Sequence, residues 1–353
     1  MVGADVRANY LCSPPLVVAY AIAGSINVDL SKDPLGIDKN GKEVFLRDIW
    51  PNSREIDSVI RTCINNEAFA KVYTNPIKDQ ARWDEIPIKD ELTYAWDSRS
   101  TYLKSPPFFD NISEEPQVIR DIIKARILGL FLDSITTDHI SPVGSIKEAS
   151  PAGEYLRNHQ VAPKSFNQYG ARRGNHEVLV RGTFANIRIK NQIVPNVEGG
   201  VTIHYPSKQK MSFYDAAMMY KADGTPLIVF AGKEYGAGSA RDWAAKGSAL
   251  LGIRAVVAQS FERIHRSNLI GMGVLPLCFE EGTSWRSLGL SGDESITIRG
   301  LCGEIEPRQF VTAEITTTDR KLSCVPLICR LDTAEEVDYY KGSSKNMNFC
   351  VAS

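Results

Sequence analysis

The chain has 353 residues, and its 43% hydrophobic content is enough to bury the cores of two domains or of one large domain with an attached segment. Its net charge of -1 comes from evenly mixed acidic and basic residues, which excludes a charge-driven attraction of the whole chain to nucleic acid or anionic membrane. The longest apolar stretch, residues 16–24, is too short to cross a bilayer and lacks the charged lead of a signal peptide, so we expect no membrane partner.

The first part of the chain combines a helix and a strand with a long connector. Residues 16–23 are apolar and end at Gly24, which predicts a helix, and residues 25–30 alternate in the manner of a strand. From residue 31 to about 117 the sequence is polar and broken by prolines, with short amphipathic pieces such as residues 53–62. This pattern predicts a long, partly helical connector that wraps over a partner surface.

From residue 122 onward, short apolar strands alternate with helices, which is typical of a compact α/β domain. The predicted strands are residues 125–131, 178–180, 187–189, 202–205, 227–231, 255–258 and 295–299. The predicted helices between them are residues 213–220, 240–251 and 263–270.

Residues 233–247 place a glycine-rich turn, a hydroxyl and a guanidinium directly before a helix. Gly236 and Gly238 allow positive φ and close approach of a ligand, while the first-turn N–H groups and the helix dipole favour an anion. Arg241 offers a planar fork to a carboxylate, and Ser239, predicted at the N-cap, offers a hydroxyl for proton exchange. The alternative is an ordinary strand–turn–helix with a serine cap and a surface ion pair.

Residues 133–142 concentrate hydroxyls, a carboxylate and an imidazole just after an apolar strand, at the edge where α/β sheets place ligands. Asp138 and His139 could tune a proton donor or orient a water. The alternative is a local turn whose side chains satisfy their own backbone.

Two further segments carry positive charge. Residues 169–188 contain four arginines among glycines and aromatics, and these could grip carboxylates or RNA phosphates: Arg172, Arg173, Arg181 and Arg188. Arginines that brace loops against backbone carbonyls explain the same pattern. Residues 261–268 open another helix and could lie beside the glycine-rich loop, although a helix start with solvated charges is an equal explanation.

The seven cysteines are an odd, scattered set, which suits a reducing compartment, and we expect a cytoplasmic location with the mitochondrion as the alternative. No two cysteines have Cys-x-x-Cys spacing, and the five histidines are too far apart for a ligand motif. Cys324 and Cys329 are predicted to point to opposite faces of one strand. The sequence therefore predicts no metal or iron–sulfur site within this chain.

Taken in order, these segments resemble the C-terminal part of the aconitase family, in its branch of aconitase A and the cytosolic aconitase/iron-regulatory proteins. The resemblance extends from about residue 6 to nearly the end of the chain. The matching segments are residues 7–10, 13–24, 136–142, 181–188, 236–247 and 261–269.

The resemblance implies an α/β fold, namely a swivelling β/β/α-type C-terminal domain preceded by a helix–strand remnant and a long, partly helical linker. Its implied domains are residues 1–50, a remnant of the third domain, residues 51–121, the linker, and residues 122–353, the swivel domain. The implied activity is the interconversion of citrate and isocitrate through cis-aconitate, with a [4Fe–4S] cluster as cofactor.

The resemblance also implies roles for single residues. Ser239 matches the family's general base, and Arg241 matches an arginine that binds substrate carboxylate. Arg7 matches the second of two paired arginines. The family's second active-site wall is matched by Thr137, Asp138, His139 and Ser141.

The chain also departs from the family pattern. It begins after the family's three cluster cysteines, so the cluster ligands are not expected in this chain. Ala240 replaces a second loop serine, which keeps the backbone donor and loses a hydroxyl. His159 stands, through a weaker stretch, where the family has a further substrate-binding arginine, and Arg157 lies two residues earlier.

Three interpretations stay open. The first is a C-terminal portion of an aconitase, either a truncated product, an incomplete gene model or a subunit completed in trans by cluster-bearing domains, and it is expected to be inactive alone. The second is a fragment of an RNA-binding iron-regulatory protein, whose partner is an iron-responsive stem-loop. The third, motivated by Ala240 and His159, is an inactive or regulatory remnant.

Overall fold

The computed structural model describes residues 10–74, 85–87, 92–110 and 118–343. It divides into two compact units, one up to Tyr94 and one from Ala95 onward. No helix among these described residues has both the length and the apolar content that a bilayer crossing requires.

The first unit consists of short helices and one small hairpin. Helix α1 (Pro14–Ala23) begins with two prolines and ends at Gly24, whose φ of +71° closes the last turn, so the predicted helix is confirmed. The hairpin pairs β1 (Gly36–Ile37) with β2 (Glu43–Val44). Three further helices follow, namely α2 (Leu46–Ile49), α3 (Ser53–Cys63) and α4 (Asn66–Tyr73).

The strand predicted for residues 25–30 is wrong, because this segment forms turns. The carboxylate of Asp29 accepts hydrogen bonds from the N–H and the hydroxyl of Ser31, at 3.0 and 2.6 Å, and so closes a turn of its own. Local side-chain bonding of this kind competes with strand formation wherever Asp and Ser are two residues apart.

The second unit contains most of the regular structure. Its strands are β3 (Ile122–Leu130), β4 (Val201–His204), β5 (Gln209–Ser212), β6 (Leu227–Phe230), β7 (Ile253–Ala258), β8 (Leu275–Phe279), β9 (Ser295–Arg299), β10 (Phe310–Thr316) and β11 (Leu322–Cys329). Its α-helices are α5 (Thr137–Ile140), α6 (Pro151–Asn158), α7 (His176–Gly182), α8 (Phe213–Ala222), α9 (Arg241–Leu250), α10 (Arg263–Gly271) and α11 (Ala334–Ser343).

Seven of these strands form a closed barrel in the order β10-β11-β8-β7-β6-β3-β9. The four adjacent strands β3, β6, β7 and β8 are parallel to one another, and the connections from β6 to β7 and from β7 to β8 run through α9 and α10. The strands β9, β10 and β11 close the ring with antiparallel pairs. The predicted α/β class is therefore confirmed, and its sheet is a barrel.

The apolar core lies on both sides of the barrel wall, because successive residues of a strand point to opposite faces. Ile127 belongs to the cluster shared by all seven strands, whereas Leu128 belongs to the cluster between the barrel and helices α8, α9 and α10. Cys329 is buried and Cys324 is exposed, so their predicted opposite orientation on β11 is confirmed. Burial raises the pKa of the Cys329 thiol to about 11.

Two other strand predictions are wrong. Residues 178–180 lie inside α7, whose first turn is capped by the side chain of Asn175, and residues 187–189 form a turn. A run of three buried apolar residues fits a buried helix as well as a buried strand, so the periodicity could not distinguish them. The strands β8 and β10 and the helix α6 were not predicted.

Candidate functional site

The candidate site lies where three neighbouring parallel strands end. The chain leaves β3 into residues 133–137, β6 into residues 232–240 and β7 into residues 260–262, and we call residues 232–240 the anion loop. Single parallel bridges pair Thr136 with Ala237 and Tyr235 with Phe261. The order of the strands is therefore kept beyond the barrel, and the three predicted segments meet at its carboxyl edge.

The two glycines of the anion loop have conformations that favour glycine. Gly236 has a φ of +86°, and a Cβ atom there would lie 2.0 Å from the Cδ2 atom of His265. Gly238 has a φ of +135°, and a Cβ atom there would lie 2.2 Å from the Oγ1 atom of Thr137. Both positions combine positive φ with close packing, so a larger residue would push the loop away from its neighbours.

Helix α9 begins at Arg241 without a side-chain cap. Its N-cap is Ala240, which has no side chain able to accept a hydrogen bond, and the predicted N-cap Ser239 lies one residue earlier. By contrast, α6, α7, α8 and α10 are each capped by their own Ser, Asn or Glu side chain. The first-turn N–H groups of α9 therefore have no acceptor within the described part of the chain, and they remain available to an anion.

Ser239 and Ala240 line a groove of about 1470 Å³ on the second unit. Ser239 is exposed, and its neighbour Trp243 forms part of the same wall. Three cations contribute to the lining, and one of them, Arg173, lies over the Trp243 ring at 5.4 Å from its centroid; the other two are Lys104 and Lys246. Three carboxylates, those of Asp242, Glu335 and Glu336, line the same groove, so the exposed Ser239 borders a concave surface that carries charges of both signs.

Arg241 is held by residues that open the next helix. Its Nε lies 3.3 Å from Oε2 of Glu262, and its carbonyl lies 3.1 Å from Nδ1 of His265. A carbonyl only accepts hydrogen bonds, so the proton of this imidazole sits on Nδ1. Burial lowers the pKa of His265 to about 4, which keeps the ring neutral.

The second predicted segment packs directly against the anion loop. Thr137 donates its N–H to the carbonyl of Ala237 at 2.8 Å, and Ser141 donates its hydroxyl to the carbonyl of Ala240 at 3.1 Å. Thr137 and Ser141 are both buried, whereas Asp138 is exposed. The backbone of Thr137 and the side chain of Ser141 therefore hold the backbone of the loop in place.

His139 caps its own short helix α5. The N–H of Thr136 donates to Nδ1 of His139 at 3.0 Å, so the neutral ring carries its proton on Nε2. Burial lowers the pKa of His139, and the nearby Asp138 partly opposes this shift. The ring is therefore a neutral hydrogen-bond donor at the end of β3.

The structure separates the four predicted arginines. Arg172 is buried and donates to the carbonyl oxygens of Ser165, Phe166 and Thr101, as the bracing alternative predicts. Arg181 pairs with Glu177. Arg173 lines the groove beside Ser239, and Arg188 is exposed elsewhere on the surface.

Two other predicted residues are not brought to this groove. His159 ends α6, bonds through Nδ1 to the carbonyl of Tyr155 at 2.8 Å and lines a separate cavity of about 420 Å³. Arg7 lies outside the described residues. The groove therefore collects Ser239, Ala240 and Arg173 from the predicted set, with Thr137 and Ser141 behind the loop.

The sequence did not assign roles to Glu262 and His265, and it left open whether their segment lies beside the loop or is a helix start with solvated charges. The bridge between Tyr235 and Phe261 places the segment beside the loop. The available signal was the spacing of an acidic residue three positions before His265 at a helix start, which matches the N-terminal cap seen at α10.

The described residues do not suit a [4Fe–4S] cluster, which needs several cysteine thiolates close together. Within the described part of the chain, no three His, Cys, Asp or Glu side chains are grouped to hold a metal. Cys278 and Cys329 are buried in the second unit, and Cys302 and Cys324 are exposed.

Comparisons with known proteins show which family this chain resembles. A family model described as the aconitase C-terminal domain matches residues 152–282. Aconitate hydratase A of Bradyrhizobium diazoefficiens is 57% identical over 345 residues, which are 96% of this chain and 38% of that protein. Aconitate hydratase A of Pseudomonas aeruginosa is 54% identical over 95% of this chain and 37% of its own length. Aconitate hydratase A of Escherichia coli is 53% identical over 95% of this chain and 38% of its own length.

The chain spans less than two fifths of the length of these curated relatives. A solved structure of 3-isopropylmalate dehydratase (leuD) from Methanocaldococcus jannaschii is 21% identical over 65% of this chain and 98% of its own, with a TM-score of 0.29, and supports no argument here. The sequence relatives and the family model lead to one conclusion: the chain belongs to the aconitase family and contains the family's C-terminal domain.

Proposed function

We propose that this chain provides one wall of the active site of an aconitate hydratase, which interconverts citrate and isocitrate through cis-aconitate. The observation that carries the proposal is the uncapped start of α9 beside the exposed Ser239. High identity to several aconitate hydratases supports the choice of substrate class.

Binding of a substrate carboxylate is assigned to the N-terminal end of α9. The free first-turn N–H groups, the positive end of the helix dipole and the guanidinium of Arg241 all favour a negative charge at the same place. Ala240 contributes through its backbone. Thr137 and Ser141 support the loop through the hydrogen bonds to Ala237 and Ala240.

Proton transfer is assigned to Ser239, which would remove a proton from the carbon next to a carboxylate. A serine hydroxyl is a very weak acid, so its alkoxide has to be stabilised by nearby amides and cations. Neutral His139, held through Nδ1 by the N–H of Thr136, would donate a hydrogen bond from Nε2 to a substrate oxygen, and the nearby charge of Asp138 would tune this donor. In the family, a bound cluster would supply a Lewis-acidic iron. The described residues contain no group of side chains that could hold such a cluster, so the roles assigned above do not involve the iron.

The unit from Ala95 onward is proposed to act as the swivel domain, which closes over cluster-bearing domains of the complete enzyme. The closing surface would include the carboxyl edge of β3, β6 and β7, because the anion loop lies there. The remaining substrate contacts, including that of Arg7, would then come from outside this unit.

Citrate binding to the 353-residue chain tests the proposal directly. We expect citrate to shift the NMR signals of the backbone amides of residues 238–243, and R241K to weaken the binding about tenfold because the bidentate fork is lost. The control R263K changes an exposed arginine on the neighbouring helix and should leave the affinity unchanged. Citrate-induced shifts that avoid this loop would contradict the proposal.

Turnover is tested in the complete enzyme, with the chain joined to the domains that its longer relatives contain. S239A should keep citrate binding and reduce kcat by at least about a hundredfold, since the general base typically contributes that much. A near normal kcat of the S239A enzyme would show that Ser239 is not the general base, and the proposed carboxylate site would be unaffected by that result.

A further inference from the structure

We propose that Glu262 is a positioning residue for Arg241, which it holds by the Nε edge so that the terminal nitrogens stay open for a substrate carboxylate. This inference rests on the function proposed above, in which Arg241 receives a carboxylate.

The carboxylate of Glu262 is itself fixed. Its Oε2 accepts the backbone N–H of His265 at 2.8 Å as the N-cap of α10, and the same oxygen lies 3.3 Å from Nε of Arg241. The N–H of Glu262 donates to the carbonyl of Tyr235 in the anion loop at 2.9 Å. Glu262 is therefore tied to the loop and to the helix at the same time.

Arg241 is held at two points. His265 donates from Nδ1 to the carbonyl of Arg241, which fixes the backbone, and Glu262 faces the Nε edge, which limits the side-chain rotamers. The His265 ring also packs against Gly236, so the backbone of the anion loop is part of the same arrangement. The first turn of α10 and its N-cap therefore fix the position of the Arg241 guanidinium.

Glu262 and Nε of Arg241 form an ion pair without hydrogen-bond geometry, since Nε is buried and has no hydrogen-bond partner among the described residues. The terminal nitrogens of Arg241 have no such partner either, and its side chain keeps 32% of its surface exposed. A guanidinium has two edges able to bind a carboxylate, one with Nε and one with the two terminal nitrogens. Glu262 covers the first edge and leaves the second free. An arginine held in this way loses less side-chain entropy when it binds a ligand.

The two possible effects of Glu262 have opposite signs. If its negative charge mainly repelled an incoming carboxylate, its removal would strengthen citrate binding. If it mainly positions Arg241, its removal weakens citrate binding by about three- to tenfold, which is the range expected for one side chain that must be ordered on binding. The sign of the change therefore decides between positioning and repulsion.

The test compares E262Q with wild type in the 353-residue chain. Glutamine keeps an oxygen that can cap α10 and removes the charge facing Nε. We expect a three- to tenfold weaker citrate affinity by calorimetry at an unchanged thermal midpoint, and E262D should recover part of the loss. E281Q, the same change at an exposed glutamate outside the site, should stay within twofold of wild type.

A second measurement does not depend on citrate. In chain labelled with ¹⁵N-arginine, the order parameter of the Nε–H vector of Arg241 should be high in wild type and fall in E262Q. Equal mobility in the two proteins, or unchanged or tighter citrate binding by E262Q, would overturn the inference. A wild type that binds no citrate but shows the loss of order in E262Q would refute the proposed function and keep the positioning role.

Discussion

Gly236 and Gly224 both have positive φ, at +86° and +65°, but their surroundings differ. A Cβ atom on Gly236 would meet the ring of His265, whereas one on Gly224 would meet nothing within 4 Å. Gly236 is thus required by packing as well as by backbone conformation, and Gly224 by conformation alone. Substitutions at these two glycines therefore measure separately the free-energy cost of a positive φ and the added cost of a steric clash.

We therefore expect G236A to lower the free energy of unfolding by at least about 3 kcal/mol and G224A by about 1 kcal/mol. The larger loss arises because the imidazole cannot move without breaking its bond to the carbonyl of Arg241. Urea denaturation followed by tryptophan fluorescence measures both variants. Equal losses would show that the contact with His265 is easily relieved.

The buried imidazole of His265 predicts a dependence of stability on pH. Its pKa is about 4 in the folded protein and about 6.5 when unfolded, so both states are neutral above pH 6.5 and the stabilising contribution is complete there. As the pH falls from 6.5 to 4 the unfolded state takes up the proton first, and on the order of 3 kcal/mol is lost.

Unfolding free energies measured between pH 4 and 7 should therefore fall less steeply in H265N than in wild type, since asparagine keeps a donor for the carbonyl of Arg241 without a titrating ring. Histidines elsewhere titrate equally in both proteins and cancel in the difference. Parallel curves would mean that the pKa of His265 is the same in the folded and unfolded states.

Much of the anion loop was predictable from its own residues, because glycines at 236 and 238 and the apolar run before them act locally. The position of the helix start was predicted one residue too early, since serine is a favoured N-cap and Ala240 is not. The contacts of Glu262 and His265 with Arg241 join residues more than twenty positions apart, and no local pattern reports such a contact.

Helices α10 and α11 are joined by a nearly buried ion pair. Arg266, which is 8% exposed, donates to both carboxylate oxygens of Glu336 at 2.7 Å and to the carbonyl of Arg330 at 2.6 Å. The hydrogen bonds to Glu336 raise the pKa of Arg266. Such a pair couples the C-terminal helix to the helix whose first turn holds Arg241.

We expect E336A to lower the free energy of unfolding by about 3 kcal/mol, because a nearly buried guanidinium then loses its main partner. E335A is the matched control, since Glu335 is exposed in the same turn, and it should change stability by less than about 0.5 kcal/mol. Chemical denaturation compares the two, and similar losses would show that Asp332, at 3.8 Å, takes over the charge of Arg266.

At the level of elements, local apolar runs predicted the buried strands β3, β6, β7 and β9 and the helices α8, α9 and α10. The strand β10 was missed because its burial alternates, with polar residues at every second position. Barrel closure depends on the pairing of β3 with β9 and of β8 with β11, which are distant in sequence. Such pairing is a tertiary property that single-segment patterns do not contain.

At the level of the whole molecule, residues 95–110 belong to the same compact unit as the barrel. Thr101 accepts hydrogen bonds from Arg172 and Asn175, each at 2.9 Å, and the N–H of Lys104 donates to the carbonyl of Gly174 at 3.0 Å. Part of the polar segment predicted as a connector therefore supports the wall of the groove.

A fragment that starts at residue 95 should fold with the thermal midpoint that the barrel shows in the full chain. A fragment that starts at residue 118 lacks Thr101, so the buried Arg172 and Asn175 lose the oxygens to which they donate. Its free energy of unfolding should be lower by at least about 3 kcal/mol. Calorimetry of the two fragments decides the matter, and equal stability would show that water replaces Thr101 without cost.

The ring of seven paired strands has a consequence for assembly. Each of the seven described barrel strands pairs on both sides, so this ring has no edge strand, although residues 322–326 of β11 extend beyond its pairing with β8; another polypeptide therefore finds no full-length strand edge to pair with. Contacts with other molecules must instead form through side chains and through the segments that emerge at the two mouths of the ring. One of those mouths carries the anion loop, so the segments proposed to bind a ligand would also be the ones that contact a partner domain.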